Sequence, residues 1–179
     1  AARRLAWVLV DRRPDVVVGY EPGGGYGHPD HVHAHRVMEL AVRLAADGSE
    51  SCRVPAVIWA AQDLQELDAG CREVAPLAEL PLVPADLGSA APSAAVRGDL
   101  IDLRVEVAPV IDRLGAALRA HVSQVQAVRT WALSGDGVTV GCFALSDGRL
   151  LPLLRTEGYR FAPDWVRGPV GWPSGVRVA

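Results

Sequence analysis

The stretch DVVVGYEPGGGYGHPDHVHAHRV, residues 15–37, decides how the rest of the chain is read. Asp15–Tyr20 is a short apolar run with three consecutive valines. That composition predicts a strand buried on both faces, as in a parallel sheet. A glycine run, Gly23–Gly25, follows at once and predicts a loop in which the backbone takes positive φ or closely approaches a ligand. Pro29 suits the first position of a helix, where a missing N–H costs nothing. Asp30 then falls in the first turn, where the helix dipole favours negative charge. Val37, Met38, Ala41, Leu44 and Ala45 recur at helical spacing and predict its core face. Asp47-Gly48 ends it.

Outward from this stretch, a helix is expected over 3–13, with Leu5, Val8 and Leu9 as its apolar edge. Val54–Ala60 reads as the next strand. Strand, helix and strand in that order make a βαβ unit. The fold class expected is therefore α/β, a Rossmann-like, mostly parallel sheet with flanking helices. The stretch from Ala75 to Ser93 reads as an extended connection bordering a site. Ile101, Leu103, Val105 and Val107 alternate with polar residues and predict a half-exposed strand. A helix is expected from about Pro109 to Val125, then strands across Ala132–Pro152 broken by Gly-Asp-Gly and Ser-Asp-Gly turns. Residues 1–162 are read as one domain portion and 163–179 as an irregular tail. No internal repeat is evident.

With 179 residues, half of them apolar, the chain can bury one sizeable core. A formal charge of −3 without a basic block gives no reason to expect a nucleic-acid partner. The three cysteines Cys52, Cys71 and Cys142 are far apart, which argues against a disulfide framework and for a reducing cytoplasm. No apolar run reaches membrane-spanning length. All eighteen basic residues are arginine, and lysine and asparagine are absent. This is the coding bias of a high-GC genome, such as that of an actinobacterium.

Tyr26–His35 holds four of the five histidines. His28, His31 and His35 share one side of the helix start at spacings of three and four, while His33 points elsewhere. Neutral imidazole is a good zinc ligand and needs an orienting partner for its second nitrogen, for which Asp30 and Glu21 are candidates. A single histidine at a helix start is most simply a polar cap. Four beside Tyr26, Asp30 and a triple glycine point to a site, and the pattern leaves zinc binding and metal-free acid–base chemistry both open. One helical turn does not easily wrap three ligands around a tetrahedral ion, so His28, His31 and His35 do not make a metal site by themselves.

The run RRPDVVVGYEPGGGYGHPDHVHAHRV, residues 12–37, resembles the PIG-L/LmbE-like zinc-dependent N-deacetylases. Within that family it is most similar to the branch that removes acetate from N-acetylglucosaminyl-inositol in mycothiol biosynthesis. ALRAHVSQV, residues 117–125, is similar to the family's late helix with a His-x-Ser/Thr-Gln motif. CFALSDGRLLPLLRTEGYRF, residues 142–161, is similar to its C-terminal strand segment. The resemblance implies metal-assisted amide hydrolysis of a small N-acetylated amino sugar. It implies His31 as a zinc ligand and His28 as the residue that stabilises the tetrahedral intermediate. It further implies Asp30 as the carboxylate orienting His28, and Tyr26 as a mobile group assisting at the carbonyl oxygen or the leaving amine. Gln124 would help position the Tyr26 loop. His33 and His35 inherit no role, and His121 is expected to be structural, on the helix carrying Gln124.

The family also carries an A-H-P-D-D-E motif, which supplies two more zinc ligands and the general-base aspartate. The only H-P-D in this sequence is at His28. The expectation is thus a chain that begins well inside the domain, with the first strands and remaining zinc ligands upstream of residue 1, and that is inactive alone. The alternatives are a deacetylase of another N-acetylated sugar or conjugate, and a catalytically dead binding or structural module.

Overall fold

The computed structural model describes residues 1–48, 56–88, 91–133, 135–165, 172 and 176–178. Cys52 and the first two residues of the strand expected at Val54–Ala60 lie outside these, as does most of 163–179.

The chain opens on α1 (Ala2–Arg12), which buries Ala2, Ala6 and Leu9 at helical spacing. Arg13 closes it in the left-handed conformation, its N–H donating to the Leu9 carbonyl. Pro14 leads into β1 (Val16–Gly19), and a single turn, α2 (Gly24–Gly27), leads into α3 (Pro29–Gly48). α3 buries Met38, Ala41, Val42 and Ala45 against α1 and the sheet. Gly19 permits that approach, because a Cβ there would meet Met38 Sδ at 2.2 Å. Strand β2 (Ala56–Asp63) then pairs parallel with β1, Val16 beside Ala56 and Gly19 beside Trp59. This completes the βαβ unit, with Pro29 and Asp30 in the first turn of α3 as the sequence predicts.

α4 (Leu64–Val74) follows β2 directly, and the connection contributes two short strands, β3 (Val83–Pro84) and β4 (Ala95–Val96). β5 (Leu103–Glu106) leads through a 3₁₀ turn into α5 (Ile111–Ala120). The expected helix to Val125 stops five residues earlier. His121 caps it, and β6 (Val125–Thr130) starts where the helix was expected to end. β7 (Thr139–Leu145) and β8 (Arg149–Leu154) form a hairpin around the Ser-Asp-Gly turn, and a bend at Arg155 carries the chain into β9 (Thr156–Phe161), which joins the other sheet. β10 (Val176–Val178) pairs with β5.

The main sheet runs β1-β2-β9-β5-β10, with β4 against the end of β2. The class is α/β with helix-flanked sheets. Among the described residues parallel pairing in this sheet is confined to β1–β2 and β2–β4, and β9, β5 and β10 join antiparallel. A second sheet, β3-β8-β7-β6, carries α4 and α5. Val74, Cys142, Ala144 and Leu150 form one of its buried clusters, and Val107, Val140 and Leu153 form another beside Ile111, Leu114 and Leu118 of α5.

One expectation is corrected here. β1 is not buried on both faces: Val18 is 57% exposed. Among the described residues β1 has a neighbour on one side alone and a helix layer on one face, so a continuous apolar run is left half covered. Leu44 and Val8, expected on core faces, are likewise 37% and 41% exposed.

Candidate functional site

Ligands of open α/β sheets bind beyond the carboxyl ends of the parallel strands. β1 leads there into Tyr20 and Glu21, and the glycine loop turns the chain back into α3. Gly24, Gly25 and Gly27 all have positive φ. A Cβ on Gly24 would lie 2.6 Å from the Val32 nitrogen, so only glycine fits against the helix start.

Glu21 holds this loop. Its carboxylate accepts from the N–H groups of Gly23 and Gly25 and from the Ser93 hydroxyl, the last two at 2.7 Å. Burial pushes the Glu21 carboxyl up, but these hydrogen bonds and the nearby His35 outweigh it and hold the group below its ordinary range. The Ala94 N–H also donates to the Gly25 carbonyl. The end of the Ala75–Ser93 connection therefore does border the loop.

The loop places His31. Its Nδ1 lies 3.2 Å from the Gly24 carbonyl oxygen, and for a bond there Nδ1 carries the proton. Nε2 then keeps a free lone pair, the arrangement of a metal-ligating histidine with its second nitrogen oriented by the protein. The ring stacks on Tyr20, centroids 4.3 Å apart at 10°, and meets Tyr26 edge-on at 5.1 Å.

His28 precedes the first helical residue, and its Nδ1 accepts the Asp30 main-chain N–H at 3.2 Å. It is an imidazole N-cap. Accepting at Nδ1 puts the proton on Nε2, which makes the exposed nitrogen a donor. Asp30 thus meets His28 through its main-chain N–H rather than its carboxylate. The His28 ring is 5.0 Å from His31 and 5.9 Å from Tyr26. Tyr26 is 63% exposed, between two positive-φ glycines.

His28, Asp30, His31 and Tyr26 are thus gathered at one helix start. His35 lies one turn on and ties α3 to the sheet, its Nδ1 2.9 Å from the Tyr20 carbonyl and its ring against Trp59. His33 is exposed. Gln124 lies in the turn between α5 and β6, on the side of the second sheet. Sequence reasoning missed two features: Tyr20 as the platform under His31, and the cluster at Asp63. Asp63 caps α4 through the N–H groups of Gln65 and Glu66 and binds Arg104 at 2.7 Å. Burial pushes the Asp63 carboxyl up, but Arg104 and the two N–H groups hold it below its ordinary range. Arg104 also reaches Glu66 at 3.1 Å. The signal for Asp63 was present as an Asp-x-x-Glu start before an apolar-periodic stretch.

Curated relatives are similar to this sequence along almost all of it. A 1D-myo-inositol 2-acetamido-2-deoxy-alpha-D-glucopyranoside deacetylase of Nocardia farcinica is 42% identical over 98% of the chain. The chain is a homologue of these deacetylases. The protein of the same name from Streptomyces griseus is 36% identical over 99% of the chain, and that from Mycolicibacterium vanbaalenii 35% over 95%. The chain spans about half the length of these deacetylases: 56%, 51% and 55% respectively. No protein-family model matches it. Among the described residues no helix is long and apolar enough to cross a membrane.

Proposed function

We propose that this chain carries the glycine-loop half of the active site of an enzyme that hydrolyses the acetamide of N-acetylglucosaminyl-inositol. In this reading His28 Nε2–H and the Tyr26 hydroxyl donate to the acetamide oxygen as negative charge builds on it. Asp30 holds the His28 tautomer through its main-chain N–H. Water adds to the acetamide carbon and the C–N bond breaks, so that acetate leaves and the nitrogen, taking up a proton from that water, remains as the free glucosamine amine. The identity to the deacetylases along almost the whole chain supports the reaction and the substrate. The observation that carries the site is His31, whose Nδ1 is bound to Gly24 and whose Nε2 is free, beside a donor His28.

Zinc is the metal the family resemblance implies, with His31 as a ligand. The described residues do not fit a complete zinc site. Among them no three His, Cys, Asp or Glu side chains come together as a metal-binding group. A catalytic zinc takes three protein ligands. The described residues by themselves are therefore expected to bind zinc weakly and to support no amine release.

Two measurements test this. N-acetylglucosaminyl-inositol titrated into the labelled chain should shift the His28 and His31 imidazole signals, and unchanged signals at saturating ligand would reject the site. Calorimetric zinc titration with amine release followed in parallel should show weak binding and no turnover. Tight stoichiometric zinc with turnover would overturn the incomplete-site reading.

A further inference from the structure

From the geometry of the main sheet we infer that Gln62, Glu157 and Tyr159 form a subsite for the hydroxyl-rich cyclitol part of the substrate, next to the histidine cluster. The inference rests on the deacetylase reading, because it names where the remainder of that substrate lies. A crevice of about 420 Å³ opens at the carboxyl ends of β1 and β2, where Tyr20 and Gly25 line its histidine end. That is a ligand-sized volume.

The strand registers place the three polar residues together. β2 and β9 pair with Ala60 beside Tyr159 and Ala61 beside Gly158. One step further along the same register sets Gln62 beside Glu157. Directly paired residues share a face, and residues two apart along a strand share it too. Ala60, Gln62, Glu157 and Tyr159 therefore occupy one face of the sheet, and all four line the crevice. Ala60 is exposed and has only a methyl group, so it forms a flat apolar floor.

The chemistry of the rim suits an uncharged polyol. The Tyr159 hydroxyl donates to Glu157 Oε2 at 2.7 Å, which leaves the other carboxylate oxygen as a fixed acceptor. Gln62 offers both an amide donor and a carbonyl acceptor. A cyclitol presents C–H bonds from its ring faces and hydroxyls around its edge. Such a ring can lie on Ala60 with its hydroxyls toward Gln62 and Glu157. In the substrate the acetamide and the inositol sit on adjacent carbons of the glucosamine ring. A ligand whose acetamide meets His28 and His31 therefore carries its inositol a short distance away. Tyr20, stacked on His31 and lining the same crevice, joins the two places.

The test uses the intact 179-residue chain and myo-inositol alone as the probe. Amide shifts in a labelled sample should cluster at Gln62, Glu157 and Gly158, with millimolar affinity. Gln62→Leu and Glu157→Gln, each shown folded by an unchanged spectrum elsewhere, should each weaken inositol binding by about tenfold. Shifts absent from this face, or wild-type affinity in both variants, would overturn the subsite. The two readings fail separately. Loss of the His28 and His31 response to the whole substrate rejects the deacetylase site, whereas loss of the inositol response at Gln62 and Glu157 rejects the subsite alone.

Discussion

His31 lies face to face on Tyr20, with ring centroids 4.3 Å apart and planes within 10°. Tyr20 is the first residue after β1, so the end of the strand sets the orientation of a side chain on the next helix. Stacked aromatic pairs contribute about 1 kcal/mol beyond their buried area. Tyr20→Leu is expected to lower the unfolding free energy by about that amount and to broaden the His31 ring signals in NMR spectra. Chemical denaturation with imidazole NMR checks both.

Gly24 both accepts from His31 Nδ1 and fits where no Cβ can. Gly24→Ala would place a methyl against the first turn of α3 in a left-handed conformation. The expected cost is about 2 kcal/mol or more, combining backbone strain with a steric clash. Loss of the His31 Nδ1–H signal should accompany it. A variant with wild-type stability and an unchanged His31 would contradict this account of the loop.

Glu21 makes the loop sensitive to acid. Its carboxyl is held below the ordinary value of 4.5, so its stabilisation is present above the unfolded value and is lost as pH falls through the folded one. Glu21→Ala leaves the Gly23 and Gly25 N–H groups without their acceptor, at about 1–3 kcal/mol. The variant should show faster amide exchange at Gly23 and Gly25 near neutral pH and a shallower loss of stability on acidification.

Arg104 bridges Asp63 and Glu66 in a largely buried position, their side chains 27%, 10% and 34% exposed. Arg104→Met leaves two carboxylates without their cation, and breaking such a pair costs about 3 kcal/mol. Asp63 is held below its ordinary value of 3.8, so its contribution too is present above that value and lost as pH falls through the folded one. Denaturation from pH 7 to pH 3 should show the variant losing less on acidification than the parent.

His28 separates capping from chemistry. His28→Ala should cost about 1 kcal/mol through loss of the N-cap. His28→Asn should recover most of that stability, since asparagine caps well, without restoring the Nε2–H donor. Full recovery of the substrate-induced response in His28→Asn would show that His28 acts only as a cap.

The βαβ unit was legible because periodicity and punctuation act locally. Three valines, three glycines and Pro29 each constrain their own backbone. The cluster of His28, Asp30, His31 and Tyr26 was legible for the same reason, since all four sit within six residues. The end of α5 was not legible. His121 breaks a periodic pattern that continues on paper, and pairing of Val125–Thr130 with β7 wins over helical propensity. The exposure of Val18 was hidden too, because burial depends on which neighbours a strand finds.

By itself, the sequence determined the strand, glycine loop and helix, and with them which side chains gather at the helix start. The tertiary structure alone decided which nitrogen each histidine presents. The Gly24 carbonyl accepts from His31 Nδ1–H, and the Asp30 N–H donates to Nδ1 of His28, so the two rings face outward as an acceptor and a donor. It also alone brought Ser93 to Glu21, Arg104 to Asp63 and Ala60 beside Tyr159. The physical reason is range. Backbone preference acts over a few residues, whereas hydrogen-bond partners across 41 or 72 positions are chosen by packing.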